Sequence, residues 1–313
     1  MPRSELHRSL VVTVVWTLAL LFLGSVVHAT ESSLACPDWP TCFGTLMPEM
    51  EGGVFWEHLH RLVAGGLMLM FGLATWYAHK EAGDRRWLFR AALAGCALLV
   101  VQAVFGGLTV LYRLPDAVST THLTLALSFL VLAVVLATAA SPRRLQEPPL
   151  GREVSGTLRL WGGIAVGAVL VQSIVGGIVR HTDSGMACPD FPTCLGQWVP
   201  PLETHFVAIQ FTHRILAVAA TLAVVILAWR LIRAGAPTRL QRIAGLGVAL
   251  VVAQFTLGVV SVFSILAVIP VSLHTLGAAA LLAVLSHLAT LGFLRSAPPA
   301  PTESAREAVS GAA

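Results

Sequence analysis

The chain has 313 residues, of which 56% are apolar and only 12% charged, and it carries a formal net charge of +4. A soluble domain keeps about 25% of its residues charged, so this composition excludes a water-soluble protein. No basic cluster with interleaved aromatic residues exists, which excludes nucleic acid as a partner.

In chain order, the first nearly uncharged apolar run spans Ser9 to Ala29, and comparable runs follow at 56–79, 87–112, 117–140, 158–180, 204–232, 240–264 and 269–294. Each reaches the roughly 20 residues that cross about 30 Å of hydrocarbon at 1.5 Å per residue. The expected fold is therefore an all-α integral membrane protein with eight transmembrane helices, whose partner is the lipid bilayer. Arg3 and Arg8 ahead of the first run resemble the start of a signal peptide. The run is longer than an ordinary signal core and belongs to the repeat described below, so it is expected to stay on the chain.

Of the 20 Lys and Arg, all but Arg61, Arg113, Arg180 and Arg214 fall in both tails or in three loops on one side. Those loops carry Lys80/Arg85/Arg86/Arg90, Arg143/Arg144/Arg152/Arg159 and Arg230/Arg233/Arg239/Arg242. By the positive-inside rule both termini are cytoplasmic and the protein sits in an inner or plasma membrane. The net charge then reports topology.

The loop after the first run reads CPDWPTCFG from Cys36, and the loop after the fifth reads CPDFPTCLG from Cys188, 152 residues later. Gln102 and Gln254, and His122 and His274, stand at that same displacement, while His60-Arg61 and His213-Arg214 stand at 153. GSVVHATES from Gly24 answers GGIVRHTDS from Gly176. Four helices per repeat is an even number, so the halves enter the membrane with the same orientation. They are expected to be two four-helix bundles related by a pseudo-twofold axis along the membrane normal. The expected division is an N-terminal half at 1–140, a Pro-rich cytoplasmic linker at 141–157, a C-terminal half at 158–295 and a flexible cytoplasmic tail at 296–313. Both cysteine pairs, Cys36/Cys42 and Cys188/Cys194, fall on the outer side, where disulfides persist. Their close spacing makes an intraloop bridge in each the expectation. Cys96, inside an apolar run, reads as a small buried hydrophobe.

Four of the 11 histidines repeat as pairs: His60 and His122 in the first half, His213 and His274 in the second. Polar rings in hydrocarbon are costly and tend to serve function, although duplication also copies histidines that only bond neighbouring helices. Imidazole is the usual axial ligand of haem iron. A structural zinc site wants four ligands, and two histidines per half do not supply them. One bis-histidine haem site per half is the most economical assignment. Arg61 and Arg214 stand one residue past their histidines, where they could meet haem propionates, and Gln102 and Gln254 are candidates for hydrogen bonds within each bundle. Glu57 lies three residues before His60, on the same helix face, and its counterpart is Gln210. A carboxylate beside one site and an amide beside the other suggests a reactive site and a redox site. A bare charge at a helix N-terminus is the alternative for Glu57.

The EHLHR segment from Glu57, the two CPDxPTC loops, the later His213-Arg214 and the Pro-preceded His122 and His274 resemble the haem A synthase family over nearly the whole chain. That resemblance implies oxidation of the C8 methyl group of haem O to the formyl group of haem A by successive hydroxylations. It implies a resident haem b on His213 and His274, and haem O bound as substrate between His60 and His122. It also implies an essential acidic residue at Glu57, a cysteine pair discussed as functional at Cys36 and Cys42, and a structural disulfide at Cys188 and Cys194. Expected partners are the haem O synthase farnesyltransferase, an electron acceptor and further copies of the chain. The first half departs from the family in carrying His28 where the second carries Arg180, which leaves open which groups hold its propionates. Two other readings explain duplicated halves: a di-haem cytochrome that only moves electrons, which gives no reason for the Glu57/Gln210 difference, and a transporter. Histidine sites near one surface, with no charged or broken element near the midplane, speak against alternating access.

Overall fold

The computed structural model describes residues 4–81, 83, 85–143 and 147–295; the expectations for Arg3, Arg144 and the tail 296–313 fall outside the described residues. Eight long helices run through them: α1 Glu5–Ala29, α2 Gly52–Glu81, α3 Arg86–Leu111, α4 Asp116–Ala140, α5 Arg152–His181, α6 His205–Arg233, α7 Thr238–Phe263 and α8 Val268–Leu294. A short 3-10 turn, Ser184–Met186, follows α5. Each long helix is long and apolar enough to cross a membrane, and the chain is a multi-pass, all-α membrane protein.

The helices outrun the apolar stretches that announce them, because a helical backbone keeps bonding itself where its side chains become polar. α5 begins at Arg152, inside the stretch expected as linker, with Gly151 as its N-cap. Glu153 in the first turn suits the positive end of the helix dipole there.

In the first half α1 packs on α2 and α4, and α3 packs on the same two helices. The same pattern holds later, with α5 and α7 each packed on α6 and α8. One buried cluster draws Leu6, Leu10, Phe71, Leu88 and Phe129 from α1–α4, with Phe71 and Phe129 edge to face at 4.9 Å. A larger cluster joins Leu158, Leu227, Leu231, Leu282 and Leu285 to Leu127 and Leu130 of α4, so one face of α4 belongs to the second core. α5 and α8 cross closely: a Cβ added to Gly292 would sit 2.7 Å from Leu158 Cβ and 2.9 Å from Arg159 N. Small residues are what permit such an approach.

At one end of the molecule the turns repeat in backbone detail. Arg113 and Leu114, between α3 and α4, have φ of 58° and 60°; Ile265 and Leu266, between α7 and α8, have 53° and 57°. These left-handed pairs let Leu114 N reach Thr109 O at 2.7 Å and Leu266 N reach Ser261 O at 2.8 Å, closing each helix end. The same end carries the two cysteine loops. The opposite end carries the basic loops, where Glu147 pairs with both Arg239 and Arg295.

Candidate functional site

Each cysteine loop is closed by its own disulfide, Cys36–Cys42 and Cys188–Cys194. Inside the first, Asp38 accepts from Thr41 Oγ1 at 2.5 Å, Phe43 N at 2.6 Å and Gly44 N at 2.9 Å. Asp190 accepts from Thr193 Oγ1, Leu195 N and Gly196 N at 2.5, 2.7 and 2.9 Å. Donors crowded on these carboxylates, the Thr hydroxyl foremost, hold Asp38 below its ordinary range and Asp190 down to about 2.

Arg61 and Arg214 clasp the loops. Arg61 Nη1 donates to Asp38 O at 2.8 Å and Thr41 O at 2.5 Å, and its Nη2 donates to Glu57 Oε1 at 2.5 Å. Arg214 donates to Thr193 O and Cys188 O, both at 2.6 Å. Arg61 thus ties the first loop to Glu57, whereas both bonds of Arg214 go to carbonyls of the second loop. Glu57 is 4% exposed, not a bare surface charge, and both its oxygens are engaged, since Oε2 accepts from Cys36 N at 2.8 Å. Among the described residues it is the only buried carboxylate. Gln210, also buried, donates instead to Gly185 O at 3.2 Å. The difference between the halves thus extends to how each helix grips its loop: an ion pair in one, amide and guanidinium bonds to carbonyls in the other.

The four repeated histidines sit on α2, α4, α6 and α8, half-buried, each with its ring against a glycine of the neighbouring helix. A Cβ at Gly24 of α1 would lie 3.1 Å from His60 Cε1, and one at Gly106 of α3 would lie 2.9 Å from His122 Cε1. Gly176 of α5 stands likewise at 3.0 Å from His213 and Gly258 of α7 at 3.3 Å from His274. His60 lies within electrostatic reach of His122, and His213 within reach of His274. Glutamines complete the surroundings. His122 Nδ1 lies 3.1 Å from Gln102 O, Gln102 Nε2 lies 3.4 Å from His122 Nε2, and Gln254 Nε2 donates to His274 O at 2.7 Å. Gln172 Nε2 reaches His213 Nδ1 at 3.1 Å and donates to His213 O at 3.0 Å. His60 has no such partner, because Leu20 occupies the repeat position of Gln172.

His60 Nδ1, His274 Nδ1 and the side-chain oxygens of Gln102, Gln172 and Gln254 are buried without a hydrogen-bond partner. Buried polar atoms are normally satisfied, and an imidazole nitrogen with a free lone pair is the donor that haem iron takes. Paired rings on opposite helices, pressed against glycines, fit a flat group ligated from both sides. The sequence pattern singled out the histidines; it missed Gln172 and did not join the glycines to the histidines. Both become visible when the repeat is compared position by position, since Gly24 answers Gly176 and Gly106 answers Gly258.

Where α1 and α5 end, the halves meet. His28 and His181 stack at 5.3 Å, Arg180 Nε donates to His28 Nδ1 at 3.2 Å, and Thr120 Oγ1 lies 3.0 Å from His181 Nδ1. His28 and Arg180, opposed in the sequence repeat, are thus bonded to each other. His287 lies 2.8 Å from Thr138 Oγ1, and Cys96 Sγ lies 3.3 Å from Thr75 Oγ1.

The family model described as COX15-CtaA, cytochrome oxidase assembly protein, matches residues 7–54 and 49–286. The heme A synthase of Symbiobacterium thermophilum is 32% identical over 275 residues, covering 85% of this chain and 88% of that protein. That of Geobacillus kaustophilus is 30% identical over 308 residues, covering 93% and 94%. That of Shouchella clausii is 29% identical over 269 residues, covering 83% and 87%. A match that spans all eight helices, both cysteine loops and all four repeated histidines leaves little of the chain outside it: the chain belongs to the COX15-CtaA family, that of the heme A synthases.

Proposed function

We propose that this chain is a haem A synthase, an oxidoreductase that converts the C8 methyl group of haem O to a formyl group by successive hydroxylations. Two parallel four-helix halves, 1–140 and 158–295, each hold one porphyrin between two histidines. His60 and His122 bind the substrate haem O and fix the direction in which its methyl group points, the positional part of catalysis. His213 and His274 hold haem b. When bound, haem b supplies a one-electron redox centre. Gln172, which bonds His213 and has only Leu20 as counterpart, keeps the second-half ring oriented. Glu57 supplies negative charge one helical turn from His60, where it balances positive charge developing at the methyl carbon or receives its proton. An electron acceptor completes the reaction, the haem O synthase farnesyltransferase supplies the substrate, and further copies of the chain are candidate neighbours. The termini are cytoplasmic and the cysteine loops face outward.

The observation that carries this reading is the twice-built pair of glycine-backed histidines, accompanied by a buried carboxylate in one half only. The test is Glu57→Gln, which copies Gln210. An amide cannot keep both contacts of the carboxylate, because its NH2 would face a donor at either Arg61 or Cys36 N. Pigments extracted from cells expressing the variant should show haem O or a hydroxylated intermediate accumulating, with haem A reduced about 100-fold or more, the span for one acid–base group starting there. Haem b should remain, whereas His213→Ala or His274→Ala should strip it. A normal haem A yield from Glu57→Gln removes Glu57 from the mechanism. No haem A from the unmodified protein supplied with haem O would favour the electron-carrying cytochrome.

A further inference from the structure

We propose that Cys36, Cys42 and His58 form a binding site for one copper(I) ion when the loop disulfide is reduced. The two sulfurs and one ring nitrogen of His58 lie within 4.8 Å of one another. Both cysteines are 0% exposed and His58 is 3% exposed. His58 Nε2 lies 3.0 Å from Leu46 O. A carbonyl only accepts, so Nε2 carries the proton and Nδ1 keeps its lone pair. That Nδ1 is buried and has no hydrogen-bond partner. One nitrogen fixed by a carbonyl and the other free is how a metal-ligating imidazole is held.

The second half shows that the disulfide does not need this imidazole. There Phe211 stands in the place of His58 and packs on Cys188, Cys194 and Val207 as an apolar cover. A buried polar ring with an unused nitrogen costs stability that a phenyl ring would not, so its presence beside one disulfide only calls for a ligand. Two thiolates and one imidazole are soft donors that select copper(I), and three donors fall short of the four a structural zinc takes. Copper(I) with two thiolates leaves one negative charge. Arg61, bonded to Asp38 O and Thr41 O of the same loop, and its ion-pair partner Glu57, which accepts from Cys36 N, lie beside it and together add no net charge.

The chemistry balances with a protein dithiol of C-x-x-C type as reductant. It gives two electrons and two protons to the Cys36–Cys42 bond, which breaks to two thiols, while its own thiols close to a disulfide. Copper(I) then displaces the two protons and keeps its oxidation state. The site does not depend on haem O oxidation.

The experiment uses the full-length protein in detergent, before and after reduction with a phosphine, titrated anaerobically with copper(I) against a chromophoric bathocuproine competitor. The reduced protein should retain one equivalent and the oxidised protein none, with X-ray absorption reporting two sulfurs and one nitrogen around the metal. Cys188→Ser/Cys194→Ser should leave the equivalent in place and Cys36→Ser/Cys42→Ser should remove it. His58→Phe should weaken binding about tenfold or more. His58→Gln, which keeps a donor for Leu46 O without an imidazole, should weaken it as much. Helical circular dichroism and a single elution peak establish that each variant is folded. Equal copper in oxidised and reduced protein, or retention by either His58 variant as tight as in the unmodified chain, overturns the proposal.

Discussion

Asp38 and Asp190 each accept three hydrogen bonds inside a loop of a few residues, and each satisfies the backbone N–H of a residue in the left-handed region, Phe43 at 54° and Leu195 at 55°. A bulky residue at positive φ is strained, so the carboxylate holds a backbone the side chain would not choose. The second carboxyl titrates near 2 against an ordinary 3.8, chiefly through the Thr193 hydroxyl and the Gly196 amide. A folded value below the unfolded one means that the bonds contribute fully above pH 3.8 and are lost as pH falls towards 2. The second loop should therefore keep its order down to about pH 4 and lose it below. Protection of the Leu195 and Gly196 amides, taken against the intrinsic exchange rate at each pH, should fall over that window, and Asp190→Asn should remove most of the pH dependence. Protection unchanged down to pH 2 would refute this role of the carboxylate.

At the scale of the helix, α1, α3, α5 and α7 act as walls, and the glycine each offers to a histidine decides how near the ring can lie. Gly176→Ala would place a methyl 3.0 Å from His213 Cε1, forcing the ring to turn at a cost of about 1–3 kcal/mol. Haem b content of the purified variant should fall, while Gly163→Ala on the same helix, with nothing within 4 Å of its Cβ, should leave it unchanged. Equal haem in both variants would reduce Gly176 to ordinary packing. These contacts mark where the sequence stops being legible. Hydropathy alone announced eight spans, and the 152-residue repeat drew attention to the four histidines. Spacing on a helix also placed Glu57 on the face of His60, but could not show that its oxygens are held by Cys36 N and Arg61. Such bonds depend on how a loop folds back over a helix end, and no periodicity records that. The bonds of Arg61 and Arg214 to loop carbonyls were illegible for the same reason: a guanidinium near a helix end suits a propionate or a carbonyl, and spacing does not record the loop's path.

For the whole molecule, α1 and α4 lie against α8, and α4 also against α5, so the halves share a seam of spanning helices. Polar contacts stitch it at several depths: Ser25 Oγ lies 3.1 Å from Thr275 Oγ1, Thr138 meets His287, and His28 meets Arg180 and His181. Because the halves are fixed to each other, orientation is a property of the entire chain, and one labelling experiment settles it for both histidine pairs. The end with the cysteine loops exposes Leu46, Met47, Trp198, Val199 and Leu202, apolar and aromatic side chains suited to the headgroup layer. The other end exposes arginines and holds Glu147 between Arg239 and Arg295. A cytoplasmic excess of Lys and Arg sets topology during insertion, so the orientation we propose puts the basic end inward and the disulfides in an oxidising compartment. In a Cys96→Ala background, Leu202→Cys should react with a membrane-impermeant maleimide in right-side-out vesicles, and Arg242→Cys should react only in inverted ones. The reverse pattern would place both disulfides in the reducing cytoplasm, where they would not persist, and would require haem O to reach His60 and His122 from the opposite leaflet.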